Sequence, residues 1–177
     1  MVQGNLRDIL SRACTNGYWW QADADVFYMR GENTSLTKDE NFLLTGSIGL
    51  IGGTFLTSDY PSQWDAQAEK AVDLFWTKEG PRIPYKHFVL YDDQNNIKAY
   101  LVSYNDGKKP DHRLGIYNWE SSEQNTKILI SDLQLDHSLK WNVSALIQNH
   151  KVGYSNGEVL VASQPAHSLS IVNLTDE

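Results

Sequence analysis

Thr37-Lys38-Asp39-Glu40, the apolar stretch from Phe42 to Ile51 behind it, and Gly52-Gly53-Thr54-Phe55-Leu56-Thr57-Ser58 set the reading of the first half of this chain. Thr37 and Glu40 form a capping box, in which the threonine hydroxyl accepts from the backbone three residues on and the glutamate reaches back to the threonine N–H. The run it opens is a helix, Gly52-Gly53 closes it, and Thr54 to Ser58 reads as a short buried strand before the turn signal Asp59-Tyr60-Pro61. Gly46, Gly49 and Gly53 recur at spacings of three and four, so they share one side of that helix. Each costs about 1 kcal/mol of helix propensity relative to Ala, so something must pack very close there. A dinucleotide fingerprint runs Gly-x-Gly-x-x-Gly and opens a helix after a strand. Here the glycines end a helix and open a strand, which favours close packing over phosphate binding.

Upstream, Leu6, Ile9, Leu10 and Ala13 fall at i, i+3, i+4 and i+7, with Asn5 as N-cap and Gly17 just past the end. This predicts a short amphipathic helix from Asn5 to Cys14. Tyr18-Trp19-Trp20 is bulky and β-prone and leads into Gln21 to Met29, which predicts a buried strand ending in an acidic loop. Downstream, Ala68, Ala71, Val72 and Phe75 mark a third helix from about Ser62 to Trp76, ended by Gly80-Pro81. Helix, strand, helix, strand, helix is the rhythm of an α/β fold with parallel strands.

After Pro84 the texture changes. Phe88 to Tyr91, Ile97 to Tyr104, Leu114 to Trp119, Lys127 to Ile130, Trp141 to Ile147, Val159 to Ala162 and Ser168 to Leu174 are short strands, with turns at Asp92 to Asn96 and at Asn105-Asp106-Gly107. That spacing predicts an antiparallel sandwich or barrel. The boundary falls between Thr77 and Tyr85, giving residues 1–84 and 85–177. The first segment holds only two parallel strands, whereas a complete (β/α)8 barrel needs about 250 residues. It reads as the end of a barrel cut from a larger enzyme, with unpaired edges that invite self-association. The β domain should bury its own core.

Composition removes several functions. Among 177 residues, 22 acidic side chains face 15 basic ones, for a net charge of −7, which argues against nucleic acid as a partner. Apolar stretches fall far short of the roughly 20 residues that span a bilayer, and the amino terminus lacks the pattern of a signal peptide. Cys14 is the only cysteine, which excludes an intrachain disulfide and a thiolate zinc cluster. His87, His112, His137, His150 and His167 are scattered with no His-x-x-x-His pair, so a zinc site is not expected.

Asp23 and Asp25 sit two apart behind Trp19 and Trp20, at the expected carboxyl end of a strand, where strand periodicity points both carboxylates to one side. Carboxylates and aromatics at that end of a barrel strand suit a sugar site. An acidic loop beside a core tryptophan is the commoner arrangement, and most of the six tryptophans are expected in the core or at interfaces.

Trp20-Gln21-Ala22-Asp23-Ala24-Asp25-Val26, the capped helix ending Leu50-Ile51-Gly52-Gly53, and Thr54 to Asp59 resemble the seventh strand, seventh helix and eighth strand of clan D glycoside hydrolases, the α-galactosidases or melibiases. That clan reads Trp-x-Asn-Asp-Pro-Asp, then a helix, then a strand ending Ser-Asn/Asp-Asp. Leu114 to Trp119 resembles the clan's apolar strand ending in Asn-Trp, and Gln164 to Leu169 its Pro-x-His/Gly-x-Ser stretch. Ala22 and Ala24 depart from the pattern, standing where the clan has Asn and Pro. The resemblance implies hydrolysis of terminal α-galactosides without metal or cofactor, with Asp25, then Asp23 and Trp20, holding the sugar. It also implies a nucleophile and an acid/base on barrel strands that these residues do not include, so no catalytic residue is assigned here. The expected fold is thus α/β followed by all-β: the last strands and helices of a (β/α)8 barrel, then an antiparallel β-sandwich. The other reading is a non-catalytic carbohydrate-binding or structural β module.

Overall fold

The computed structural model describes residues 2–77, 80–105, 109–136, 138–147 and 150–176. The first part runs α1 (Val2–Arg12), a 3-10 turn (Ala13–Thr15), β1 (Asp23–Phe27), α2 (Lys38–Ile51), β2 (Thr54–Thr57), a second 3-10 turn (Pro61–Gln63) and α3 (Ala66–Asp73). A two-residue ladder, β3 (Trp76–Thr77) with β4 (Gly80–Pro81), leads out of it. The rest is strand apart from a third 3-10 turn (Ile130–Asp132): β5 (Lys86–Tyr91), β6 (Ile97–Asn105), β7 (Pro110–Asn118), β8 (Gln124–Leu129), β9 (Trp141–Ala145), β10 (Lys151–Ser155), β11 (Glu158–Gln164) and β12 (Ser168–Asp176).

β1 and β2 pair in parallel, as the helix between them requires. The later strands form two antiparallel sheets, ordered β5-β6-β7-β12-β9 and β10-β11-β8. Ala99, Leu101, Leu114 and Ile116 of the larger sheet meet Ile128, Val159 and Val161 of the smaller one, and this is the sandwich core. The opposite face of the larger sheet is buried too. Tyr100, Val102, Tyr117, Leu169 and Ile171 point into a second core shared with Leu6 and Leu10 of α1 and with Phe42, Leu43, Ile48 and Ile51 of α2. Two-sided burial is why β6 carries the apolar run Ala99 to Val102 and why β12, although its sequence alternates, is buried from Ser168 to Val172.

α2 holds the two parts together. Both halves of its capping box form, with Thr37 Oγ1 accepting from Glu40 N at 3.2 Å and Glu40 Oε2 accepting from Thr37 N at 2.8 Å. Every residue from Asn41 to Ile51 is buried. A Cβ on Gly46 would lie 2.6 Å from Leu169 Cδ2 of β12, and one on Gly115 of β7 would lie 2.7 Å from Leu50 Cδ1 of the helix. Glycine therefore stands on both sides of the helix–sheet seam. Gly49 faces the Phe75 ring, 2.2 Å from where its Cβ would sit, and Gly52 caps the helix at φ 70°. An ionic tie reinforces the seam: Arg82 and Arg113 both pair with Asp111, at 2.8 and 3.4 Å, and stack their guanidinium groups on the Tyr104 ring. Arg113 also donates to the Leu74 carbonyl at the end of α3.

Several local expectations are corrected. Tyr18 to Trp20 is not a strand. Its side chains are 75, 79 and 51% exposed, because Gly17 turns the chain at φ 79° and donates to the Trp20 carbonyl. The strand starts later, at Asp23. α1 begins at Val2, which puts Asn5 inside the helix and not at its cap. α3 is shorter than expected, because Pro61 starts a separate 3-10 turn and Asp65 caps the helix, accepting from Ala68 N at 2.8 Å. Gly53 lies beyond α2, where a Cβ would be 2.1 Å from the Ala22 carbonyl. β10 was not expected, since Lys151-Val152-Gly153-Tyr154-Ser155 is short, carries a central glycine and lies almost wholly exposed. Asp106 and Gly107 of an expected turn lie outside the described residues.

Gly49→Ala should destabilise the fold by about 1–3 kcal/mol, because the overpacking at the Phe75 ring exceeds the gain in helix propensity. Gly153→Ala, whose Cβ meets nothing within 4 Å, should leave the urea midpoint unchanged or slightly raised. A pH dependence follows from His87, which pairs through Nδ1 with the Tyr100 hydroxyl and whose pKa burial lowers to about 4. The folded chain then resists a proton that the unfolded chain takes up near pH 6.5, so stability is full above that pH and falls as pH drops towards about 4. His87→Gln should flatten this part of the stability–pH curve.

Candidate functional site

The parallel pair presents two unlike faces. Ala24, Phe27 and Phe55 are buried towards the helices, with the Phe27 and Phe55 rings stacked at 4.3 Å. Asp23, Asp25 and Leu56 lie exposed on the other face. The register advances three residues on β1, from Asp23 to Val26, against two on β2, from Thr54 to Leu56, so β1 carries a bulge. Asp25 sits in it at φ 70°, a left-handed conformation that Asp adopts more readily than most residues. The bulge lets Phe27 return to the core after both carboxylates have faced outwards.

Each carboxylate also serves the local backbone. Asp23 Oδ1 accepts from Asp25 N at 3.0 Å, and Asp25 Oδ1 accepts from Val26 N at 2.8 Å. This fixes the bulge and leaves one oxygen of each carboxylate directed elsewhere. Contrary to expectation, Asp23 opens β1 and Asp25 is its third residue, so neither stands at the carboxyl end. The amino end is held by Asn16, which is buried. It donates to the Ile51 carbonyl at 2.9 Å and accepts from Ala22 N at 2.7 Å, tying the entry of β1 to the exit of α2. Trp20 and Asp23 come together there, lining a cleft of about 210 Å³ with Ile9, Arg12 and Ala22. Asp25 lies outside that cleft.

The carboxyl ends of β1 and β2 are joined by Asp59, whose side chain is 0% exposed. Its Oδ2 accepts from Met29 N at 2.5 Å, Arg30 N at 3.2 Å and Trp64 Nε1 at 2.8 Å, while its Oδ1 accepts from Arg30 Nη1 at 3.0 Å. Arg30 Nη1 also reaches the Ser58 carbonyl and hydroxyl, and its guanidinium lies over the Tyr28 ring. Sequence reasoning gave Asp59 a turn role and did not single out Arg30. No motif marks an arginine in a polar stretch, and only the fold brings it to both strand ends.

Larger grooves lie elsewhere. One of about 330 Å³ runs beside the Asp92–Asn96 turn and β8. Two of its charged side chains already have partners: Asp92 accepts from Gln94 N and Asn96 N, and Lys127 pairs with Glu158. Among the described residues no group of three His, Cys, Asp or Glu could hold a metal, and no helix is long and apolar enough to cross a membrane. Asp59→Ala should destabilise the chain by about 3 kcal/mol or more, since it strands a guanidinium and three N–H donors. Asp59→Asn should cost less, and Asp25→Asn, which keeps a residue type suited to φ 70°, should barely move the melting temperature.

No protein-family profile and no curated protein sequence matches the chain. Solved structures do. The α-galactosidase of Saccharomyces cerevisiae, determined with raffinose, superposes over 99% of this chain and 51% of its own, with a TM-score of 0.64 and 11% identity. The α-galactosidase I of Mortierella vinacea gives 0.67 at 12% identity, over 99% of this chain and 45% of its own. A GH27 β-L-arabinopyranosidase from Geobacillus stearothermophilus gives 0.70 at 13% identity, over 97% and 42%. Identities this low establish a shared fold and not a shared activity. The chain therefore has the fold of α-galactosidase structures over nearly all its length, as its sequence resemblance implied, and spans about half of theirs.

Proposed function

We propose that this chain is the carboxyl-terminal portion of an α-galactosidase-like glycoside hydrolase, and that Asp25 holds a terminal α-galactoside, with Asp23 and Trp20 in support. The observation that carries this reading is the bulge in β1. It projects Asp25 from a parallel strand onto the uncovered face of the pair, the face that further strands of a barrel would enclose. A carboxylate there accepts hydrogen bonds from sugar hydroxyls, and enclosure strengthens each bond by excluding water. We place the division of the chain near residues 77–85, with the barrel segment before it and the sandwich after.

A retaining glycosidase needs two carboxyl groups about 5–5.5 Å apart across the scissile bond. The resemblance puts that pair on other barrel strands, so the 177 residues by themselves should bind and not hydrolyse. One observation favours the second reading, a non-catalytic module: both carboxylates already bond their own backbone, a sufficient structural use. Turnover and binding separate the two. The 177-residue chain should release no chromophore from a chromogenic α-galactoside above an enzyme-free control. With barrel strands bearing the catalytic pair present, Asp25→Asn, which tolerates the left-handed backbone, should lower kcat/KM at least about tenfold with the melting temperature little changed. Unchanged kinetics with a lowered melting temperature would establish the structural role. Turnover by the 177-residue chain, lost in Asp25→Asn, would instead make the two aspartates the working site.

A further inference from the structure

We infer that Arg30 is a specificity-determining residue that binds the leaving-group side of an oligosaccharide, held in place by Asp59. This rests on the sugar-site reading of Asp25. Arg30 follows Asp25 by five positions, the last three of them beyond Phe27, where β1 ends. Asp25 lies inside β1, whereas Arg30 lies beyond its carboxyl end and reaches the carboxyl end of β2 through Ser58. In parallel α/β sheets ligands enter at the carboxyl ends of the strands. A sugar engaged by Asp25 is therefore the deeper one, and the group attached to it passes Arg30 at the rim.

The side chain is built to be presented there. Among the described residues one nitrogen, Nη1, makes its polar contacts, with Asp59 Oδ1 at 3.0 Å, Ser58 Oγ at 3.1 Å and the Ser58 carbonyl at 3.2 Å. The Tyr28 ring supports the guanidinium at 4.8 Å. Nε is buried and meets no acceptor among the described residues, and the side chain remains 25% exposed. A guanidinium anchored through one nitrogen keeps N–H donors for a ligand without the entropy cost of a free arginine. Its charge is matched by Asp59, and Asp23 and Asp25 lie on the neighbouring strand face. The ligand is thus a neutral, hydroxyl-rich sugar and not an anionic one.

The test titrates the 177-residue chain with raffinose and with galactose, following backbone amide shifts by NMR. Raffinose should bind about tenfold more tightly than galactose. Arg30→Met should remove that difference and leave galactose affinity unchanged, while Asp25→Ala should weaken both sugars. If Arg30→Met lowers the melting temperature, Arg30→Lys, which keeps the Asp59 pair but loses the planar donor set, takes its place and should lose most of the preference. An unchanged raffinose preference in these variants, with Asp25→Ala still weakening both sugars, overturns the role of Arg30 and leaves the sugar site standing. Undiminished galactose binding in Asp25→Ala overturns the sugar site itself. Failure of the unaltered chain to bind either sugar overturns both.

Discussion

The structure turns on the contact between α2 and the five-stranded sheet. A helix buried from Asn41 to Ile51 needs apolar partners on every side, and it finds them in β1 and β2, α1, α3 and the sheet face of Tyr117, Leu169 and Ile171. Glycine on each side of the seam, Gly46 on the helix and Gly115 on the sheet, lets leucine side chains from the opposite element fill the space. The parallel pair, with only two strands, cannot enclose a core. It is ordered because the helix between its strands is fixed from the other side.

The same dependence explains the character of the candidate site. The packed face of β1 and β2 is specified by Ala24, Phe27 and Phe55, while the other face shows Leu56, Asp23 and Asp25 to solvent. Its two ends are held by different chemistry. Asn16 uses its amide to tie the amino end to α2, and Asp59 uses its carboxylate to tie the carboxyl end to the Tyr28–Arg30 segment. Between those anchors the bulge sets the direction of Asp25. Position on this face is therefore controlled by buried polar groups rather than by apolar packing.

What was legible in the sequence follows from this division. The capping box at Thr37, the close approach at Gly46 and Gly49 and the parallel order of β1 and β2 all rest on local periodicity, and each is found, although Gly53 lies beyond the helix. The strand at Tyr18–Trp20 did not, because β propensity describes a residue that has a pleated surface to pack on, and Gly17 turns these aromatics away from any such surface. Asp25 was recognisable by its place in a motif, but its left-handed backbone was not, since a bulge is defined by the partner strand's register. Arg30 and Asp59 form a pair 29 residues apart in sequence, and nothing local to either one reports the other. Asn16 is the same kind of case, bonded to Ile51 across 35 residues.

The doubly buried sheet also bears on how such a sandwich could be inherited. A transferable module presents a polar outer surface once its own core is closed. Here the outer surface of the larger sheet is Tyr100, Val102, Tyr117, Leu169 and Ile171, with Tyr104 clasped between Arg82 and Arg113. Moved to another protein without α1 and α2, this sandwich would carry a broad apolar face and a tyrosine whose cationic cover had lost the Leu74 carbonyl that steadies it. Recombination that cuts near residue 84 would thus be selected against at the level of solubility, even where the strands still folded. The sandwich and the helical segment are expected to travel through evolution as one piece.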